Sequence, residues 1–247
     1  MPKLEIYNLI LEVTRRCNMN CEHCLRGEAE NADLTIATIV PLLKQVSYIG
    51  TLTFSGGEPS LNTKIIREVL DYCDRHDIQV SSFYIVTNGK EISDEFLALM
   101  HRWYAYVSHY DDPTMSGIAL SKDTFHENIP NDNENLLRGF SFFREDKITN
   151  WETKKYALIQ EGRAKDLVNS GYLFRKNEPR PDLYVEKRKY DKYDDAYNYA
   201  IEEELYVSVN GDIIPDCDCS YDTMKEISVG NTKDIEAFFE YLETQSN

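Results

Sequence analysis

The stretch that decides the fold is IYNLILEV at residues 6–13, followed directly by TRRCNMNCEHC at 14–24. The first is a short apolar run rich in Ile, Leu and Val, the composition of a strand buried on both faces. The second is polar and carries three thiols within eight residues, so it reads as a loop at the strand's carboxyl end. Working outward, TLTF at 51–54 and SSFYIV at 81–86 repeat the strand pattern, and helical spacing marks 35–47, 63–76 and 93–103 between them. In the second of these helices Ile65, Ile66, Val69, Leu70 and Cys73 share one face, which makes Cys73 a small core residue. Further strands are expected at 117–121, 155–160 and 205–209, six in all. Strand–helix alternation calls for a parallel sheet with helices packed on it.

Such sheets place their working groups at the carboxyl ends of the strands. The cysteine loop follows 6–13, Gly56-Gly57-Glu58-Pro59 follows 51–54, and Thr87-Asn88-Gly89 follows 81–86. Beyond them, 105–116 and 126–153 are polar and loop-rich, with one helix expected near 133–144. Residues 209–217 read as strand, tight turn and return strand, and 234–244 as a closing helix with Ile235, Phe238, Phe239 and Leu242 on its core face. The stretch holding Tyr190, Tyr193, Tyr197 and Tyr199 reads as an amphipathic surface helix, with a substrate-cleft lining as the alternative.

The 247 residues include 43 acidic against 27 basic side chains, a formal charge of −16. That balance disfavours general binding to nucleic-acid phosphates. Lys187-Arg188-Lys189 is read as a solvated loop in preference to a local basic patch. No apolar run approaches the roughly 20 residues that span a bilayer, and the first residues lack the pattern of a secretion signal. A cytoplasmic location without membrane partners is the expectation.

Six cysteines occur, at 17, 21, 24, 73, 217 and 219. Disulfide frameworks belong to short secreted chains, and three thiols clustered in one loop fit metal binding better. Thiolates suit iron–sulfur clusters and zinc. A structural zinc site needs four protein ligands, and His23, adjacent to Cys24, is badly placed to complete one. Three thiols on a four-iron cubane leave one iron for a ligand from outside the protein.

CNMNCEHC at 17–24 resembles the C-x3-C-x-φ-C signature of the radical S-adenosylmethionine superfamily, with His23 at the usually aromatic position. The resemblance continues at SGGEP (55–59), VTNG (86–89) and ALSKD (119–123), covering roughly residues 5–165 in order. It implies a partial (β/α)6 barrel with a short C-terminal extension: a core over 1–183, then the last strand or strands and a packing tail over 184–247. It also implies a [4Fe–4S] cluster on Cys17, Cys21 and Cys24, and S-adenosylmethionine cleaved by an electron from a flavodoxin- or ferredoxin-type donor. The resulting 5′-deoxyadenosyl radical would abstract hydrogen from a substrate C–H bond.

Within that resemblance Gly56 and Gly57 let the backbone approach the methionine amine, Glu58 accepts from it, and Pro59 stiffens the turn. The backbone of His23 would lie near the adenine, the alternative being a solvent-facing imidazole. Asn88 and Ser121 fall where the family makes ribose contacts, although Asn88 is equally explained as turn chemistry. Arg163 would meet the methionine carboxylate or stand on the surface. The tail resembles a truncated SPASM or twitch domain with only Cys217 and Cys219, too few thiols for a second cubane. Those two are either redox-active at the catalytic site or structural. The tail resemblance points to a peptide or protein substrate; a nucleotide or sugar is the alternative, and outside enzymes a non-catalytic iron–sulfur protein.

Overall fold

In the computed structural model, which describes residues 2–110, 115–123, 125–144, 157–167, 173–189 and 197–246, the first strand, β1 (Leu4–Thr14), lies inside the main sheet. Leu4, Ile6, Leu9, Leu11 and Val13 are all fully buried, as a strand covered on both faces requires. On one side β1 pairs in parallel with β2 (Val46–Gly56), and β3 (Gln79–Thr87), β4 (Gly117–Leu120) and β5 (Phe143–Arg144) follow, each parallel to the last. The other side of β1 is taken, also in parallel, by β9 (Tyr197–Val207). The outer edge of β9 is shared by two antiparallel strands, β8 (Val185–Lys189) along its first half and β10 (Asp212–Ile214) along its end. β11 (Gly230–Asn231) pairs with β10. This is a mixed α/β fold on a mostly parallel sheet. No helix among the described residues is long and apolar enough to cross a membrane.

Helices α1 (Ile36–Leu43), α2 (Thr63–Arg75) and α3 (Asp94–Val107) connect the first strands and pack on the sheet. Trp103 of α3 is fully buried, donates from Nε1 to the Ile66 carbonyl at 3.3 Å and meets Phe54 edge-to-face at 5.2 Å. Cys73 is fully buried on α2, as its helical spacing predicts. Each start has a side-chain cap: Thr35 for α1, Asn62 for α2 and Ser93 for α3. Ser93 Oγ accepts from the Phe96 amide at 3.1 Å, with Asp94 and Glu95 in the first turn. Ser93→Ala is expected to cost about 1 kcal/mol and lower the melting temperature by roughly 2–4 °C, readable by calorimetry. An unchanged melt would show that the cap adds nothing.

Several expectations are corrected. The helix predicted over 35–47 stops at Leu43 because Val46 and Ile49 are needed in β2, where they face Leu4 and Ile6. The predicted strand at 155–160 exists as β6 (Ala157–Ile159), but it pairs with β7 (Leu173–Arg175) in a separate small sheet. The fifth parallel place next to β4 goes instead to Phe143 and Arg144, so the helix expected near 133–144 ends at Arg138 as α4 (Asn131–Arg138). The described end of the tyrosine-rich stretch is not a surface helix. Tyr197 and Tyr199 belong to β9, where pairing with β1 overrides the helix propensity of Glu202-Glu203-Glu204; Tyr190 and Tyr193 lie outside the described residues.

Lys187-Arg188-Lys189 is likewise a strand edge. Arg188 is paired with Glu186, Glu202 and Glu5, and Lys187 with Glu243. The hairpin at 209–217 forms as β9–turn–β10. After the short α5 (Tyr221–Glu226), the closing helix α6 (Ile235–Gln245) buries Phe238 and Leu242 as expected.

Candidate active site

The carboxyl ends of β1 and β2 are stitched together by backbone. The Gly57 amide donates to the Thr14 carbonyl and the Glu58 amide to that of Arg16, both at 2.8 Å. A Cβ on Gly56 would lie 2.1 Å from the Thr14 carbonyl oxygen, and one on Gly57 2.3 Å from that of Arg16. Gly56 also has φ +141°, open to glycine at no cost. The pair is therefore required by the exit of β1 itself: its missing side chains make room for the backbone that launches the cysteine loop. That loop is held from outside by Asp33, which accepts from Thr14 Oγ1 at 2.6 Å and Arg16 Nε at 2.9 Å.

Glu58 is 1% exposed and bridges the ends of β2 and β3. Its Oε1 accepts from the Ser60 amide (3.1 Å) and Thr87 Oγ1 (2.6 Å), and Oε2 from the Asn88 amide (2.7 Å). Burial nevertheless pushes its carboxyl pKa up, against those hydrogen bonds. Pro59 opens the short 3-10 turn Pro59–Asn62 and does not line the cavity described next. Asn88 makes the turn contact expected of an Asn-Gly pair and a second contact toward the cysteine loop. Its Oδ1 accepts from the Lys90 amide at 2.9 Å, a turn contact, while its Nδ2 reaches Asn18 Oδ1 at 2.8 Å and lies 3.9 Å from Cys17 Sγ.

These strand ends border a cavity of about 360 Å³. Cys17, Cys21 and Cys24 all line it, together with Gly56, Gly57, Glu58, Asn88, Ser121, His23 and Arg163. The three cysteines are half-buried and free of disulfides. Burial raises the Cys17 pKa and, with the neighbouring Cys17 and Cys24 thiols, pushes Cys21 up to about 11. The thiols thus crowd one another in a low-dielectric wall, a setting in which a bound cation would replace their protons. Arg163 follows β6, donates its amide to the Cys24 carbonyl at 2.9 Å and bonds Asn20 Oδ1 through Nη1. Its buried Nε has no hydrogen-bond partner.

His23 is stacked on Phe125 with ring centroids 4.5 Å apart and its Nε2 3.3 Å from Asp123 Oδ2. Asp123 Oδ1 accepts from the amides of Phe125 and His126, and His126 Nδ1 lies 2.7 Å from the same oxygen. Burial opposes the charge on Asp123, but the polar contacts of His126, His23 and the Phe125 amide outweigh it and hold the carboxyl far below its usual range. Sequence reasoning singled out neither Asp123 nor His126 as a site residue. The signal was there in Ser121-Lys122-Asp123, followed three residues later by a histidine that the turn folds back.

Under the cavity a second polar layer ties in the tail. Glu12, fully buried, accepts from Arg15 Nε (3.1 Å) and the Val209 amide (3.0 Å). Arg15 stacks over Tyr221 at 4.2 Å. Arg26 Nη1 donates to the carbonyls of Cys217 (2.5 Å) and Cys219 (2.6 Å). The Cys217 and Cys219 thiols do not line the cavity, and burial pushes both up to about 12, so they are protonated and poor nucleophiles. It is their backbone that meets the cysteine loop. Nothing in the spacing of the sequence links Arg26 to residues some 190 positions later; only the fold does.

The family model of the radical SAM superfamily matches residues 11–153, more than half of the chain. Among curated proteins the chain is 31% identical over 119 residues to the S-adenosylmethionine-dependent nucleotide dehydratase RSAD2 of Oncorhynchus mykiss, covering 46% of this chain and 30% of that protein. It is 31% identical over 94 residues to the uncharacterized protein MJ0907 of Methanocaldococcus jannaschii, covering 37% and 33%. The chain thus spans about a third of the length of these relatives. Among solved structures, native anSMEcpe with bound AdoMet and Cp18Cys peptide aligns over 98% of this chain and 83% of its own, with a TM-score of 0.54 and 12% identity, a likeness of fold. With the family match running from β1 through the cysteine loop, the glycine pair and the ends of β3 and β4, this chain belongs to the radical SAM superfamily.

Proposed function

We propose that the chain is a radical S-adenosylmethionine enzyme in which Cys17, Cys21 and Cys24 hold a [4Fe–4S] cluster. The observation that carries this is the donor set of the cavity: three free thiols on one wall, with Cys73, Cys217 and Cys219 all outside it. Three thiolates suit a cubane whose fourth iron takes S-adenosylmethionine. When bound, that pair supplies a one-electron cleavage to methionine and a 5′-deoxyadenosyl radical able to take hydrogen from an unactivated C–H bond.

The chain's own residues then bind, orient and exclude water. Arg163 offers a buried Nε donor without a partner, suited to a carboxylate. Asn88 and Ser121 offer polar groups to a ribose, and the backbone around His23 flanks an adenine. Gly56 and Gly57 line the wall where an amine would approach. Glu58 adds negative potential there while Pro59 fixes the turn behind it. The electron comes from a flavodoxin- or ferredoxin-type donor. We take residues 1–183 as the core of a partial (β/α)6 barrel and 184–247 as its last strands and a SPASM- or twitch-like tail; support comes from the origin of β8–β11, α5 and α6 in that second segment.

For the substrate we favour a peptide or protein side chain, on the strength of that tail. A nucleotide is the second reading, favoured by the sequence relatives that are nucleotide dehydratases. Anaerobic reconstitution followed by dithionite and S-adenosylmethionine is expected to yield 5′-deoxyadenosine. Its absence from protein with a full complement of iron would sink the radical reading and leave an iron–sulfur binding protein. A several-fold stimulation of that product by nucleoside triphosphates would decide for the second substrate class.

A further inference from the structure

His23, Asp123 and His126 form a group that the proposed chemistry does not use. Their ligand-type atoms all lie within 4.8 Å of one another. His23 Nε2 is 3.3 Å from Asp123 Oδ2 and His126 Nδ1 is 2.7 Å from Asp123 Oδ1, so two imidazoles and a carboxylate, ligand types that suit zinc, converge on one point. His126 Nδ1, although this close, makes no aligned hydrogen bond, and the buried Nδ1 of His23 has no partner either. A metal ion would take the place of the protons that now lie between the two imidazoles and Asp123, each ring then offering it a lone pair. The rings are held in place from outside: His23 stacks on Phe125, and Asp123 is fixed by the amides of Phe125 and His126.

We propose that His23, Asp123 and His126 form a second metal site, distinct from the three cysteines, for a borderline divalent ion of the zinc class. Two nitrogens and one oxygen favour such an ion over magnesium or calcium, which take oxygen shells. All three residues line the cavity, so an ion on three protein ligands keeps a position open toward it, the arrangement of sites that bind a water or a substrate oxygen. The side chains of β4's exit would then give the substrate an anchor on the wall flanking the cysteine loop. The site rests on these three residues alone and does not require that S-adenosylmethionine be cleaved.

The test uses the full chain after iron–sulfur reconstitution, equilibrated with Zn²⁺, desalted, and measured by elemental analysis and zinc-edge X-ray absorption. About one zinc per chain is expected, with a nitrogen and oxygen shell at about 2.0–2.1 Å. His126→Gln and Asp123→Ala should each lower retained zinc at least tenfold, while the Cys17/Cys21/Cys24 triple-alanine variant keeps it. No retained zinc, a sulfur shell at about 2.3 Å, or equal zinc in folded His126→Gln would each overturn the proposal. Because zinc is read directly, failure of 5′-deoxyadenosine production leaves this result independent.

Discussion

Replacing Cys17, Cys21 and Cys24 together by alanine is expected to abolish iron incorporation and to reduce 5′-deoxyadenosine formation below detection. Each thiolate would supply one iron–sulfur bond, and a cubane held by fewer than three protein ligands is open to loss. Cys73 is fully buried in the α2 core and no other cysteine lines the cavity. Cys217 and Cys219 lie behind Arg26 with pKa values near 12. Iron and sulfide counts with the visible spectrum of the reconstituted triple variant check this. Four irons retained per chain would establish a second cluster and contradict the single-cluster reading.

Removing Glu58 should have the largest effect on stability. Glu58→Ala would strip the acceptor from the buried Asn88 amide and Thr87 Oγ1 and from the half-buried Ser60 amide. Stranding these neutral donors costs about 3–5 kcal/mol in all, which corresponds to roughly 6–20 °C in melting temperature for a chain of this size. Glu58→Gln keeps an acceptor and should recover part of it. The pH dependence has a definite sign. Because burial raises the folded-state pKa above the ordinary value of 4.5, the contribution of Glu58 is fully present below that value and is lost as the pH rises through the raised one. Denaturation of wild type and Glu58→Gln should therefore converge as pH increases; parallel curves would show that Glu58 is not raised.

The parallel core was legible because each of its first three strands is a short aliphatic run and each following loop carries polar or glycine signals. The same periodicity placed Cys73 in the core and gave α6 its buried face. What was not legible is long-range. The first half of β9 reads with the tyrosine-rich helix. Only its end, within the strand expected at 205–209, is legible before β1 claims the whole as a partner. The two-residue β5 has too little sequence to carry a pattern, and Ala157–Ile159 has strand composition without any sign that its partner lies elsewhere. In the site, cysteine spacing announced the thiols, and glycine pairing announced a close approach. The object approached by the Cβ-free faces is the backbone of Thr14 and Arg16, which no local rule names. Asp123 and His126 were hidden because a turn, and not a periodic element, brings them together.

The placement of β9 beside β1 also bears on how the molecule is made. Leu4–Leu11 is flanked on one side by Val46–Phe54, available early, and on the other by Tyr199–Val207, some 195 positions downstream. Contacts of such high sequence separation close slowly and late. During synthesis the strand that carries the cysteine loop would wait with one hydrogen-bonding edge bare until Tyr199–Val207 have left the ribosome. Arg26 reaches the Cys217 and Cys219 carbonyls only at that same moment. Support of the cysteine loop is thereby coupled to the arrival of residues 199–219, and a chain cut short before them would present its thiols beside an open, aggregation-prone edge.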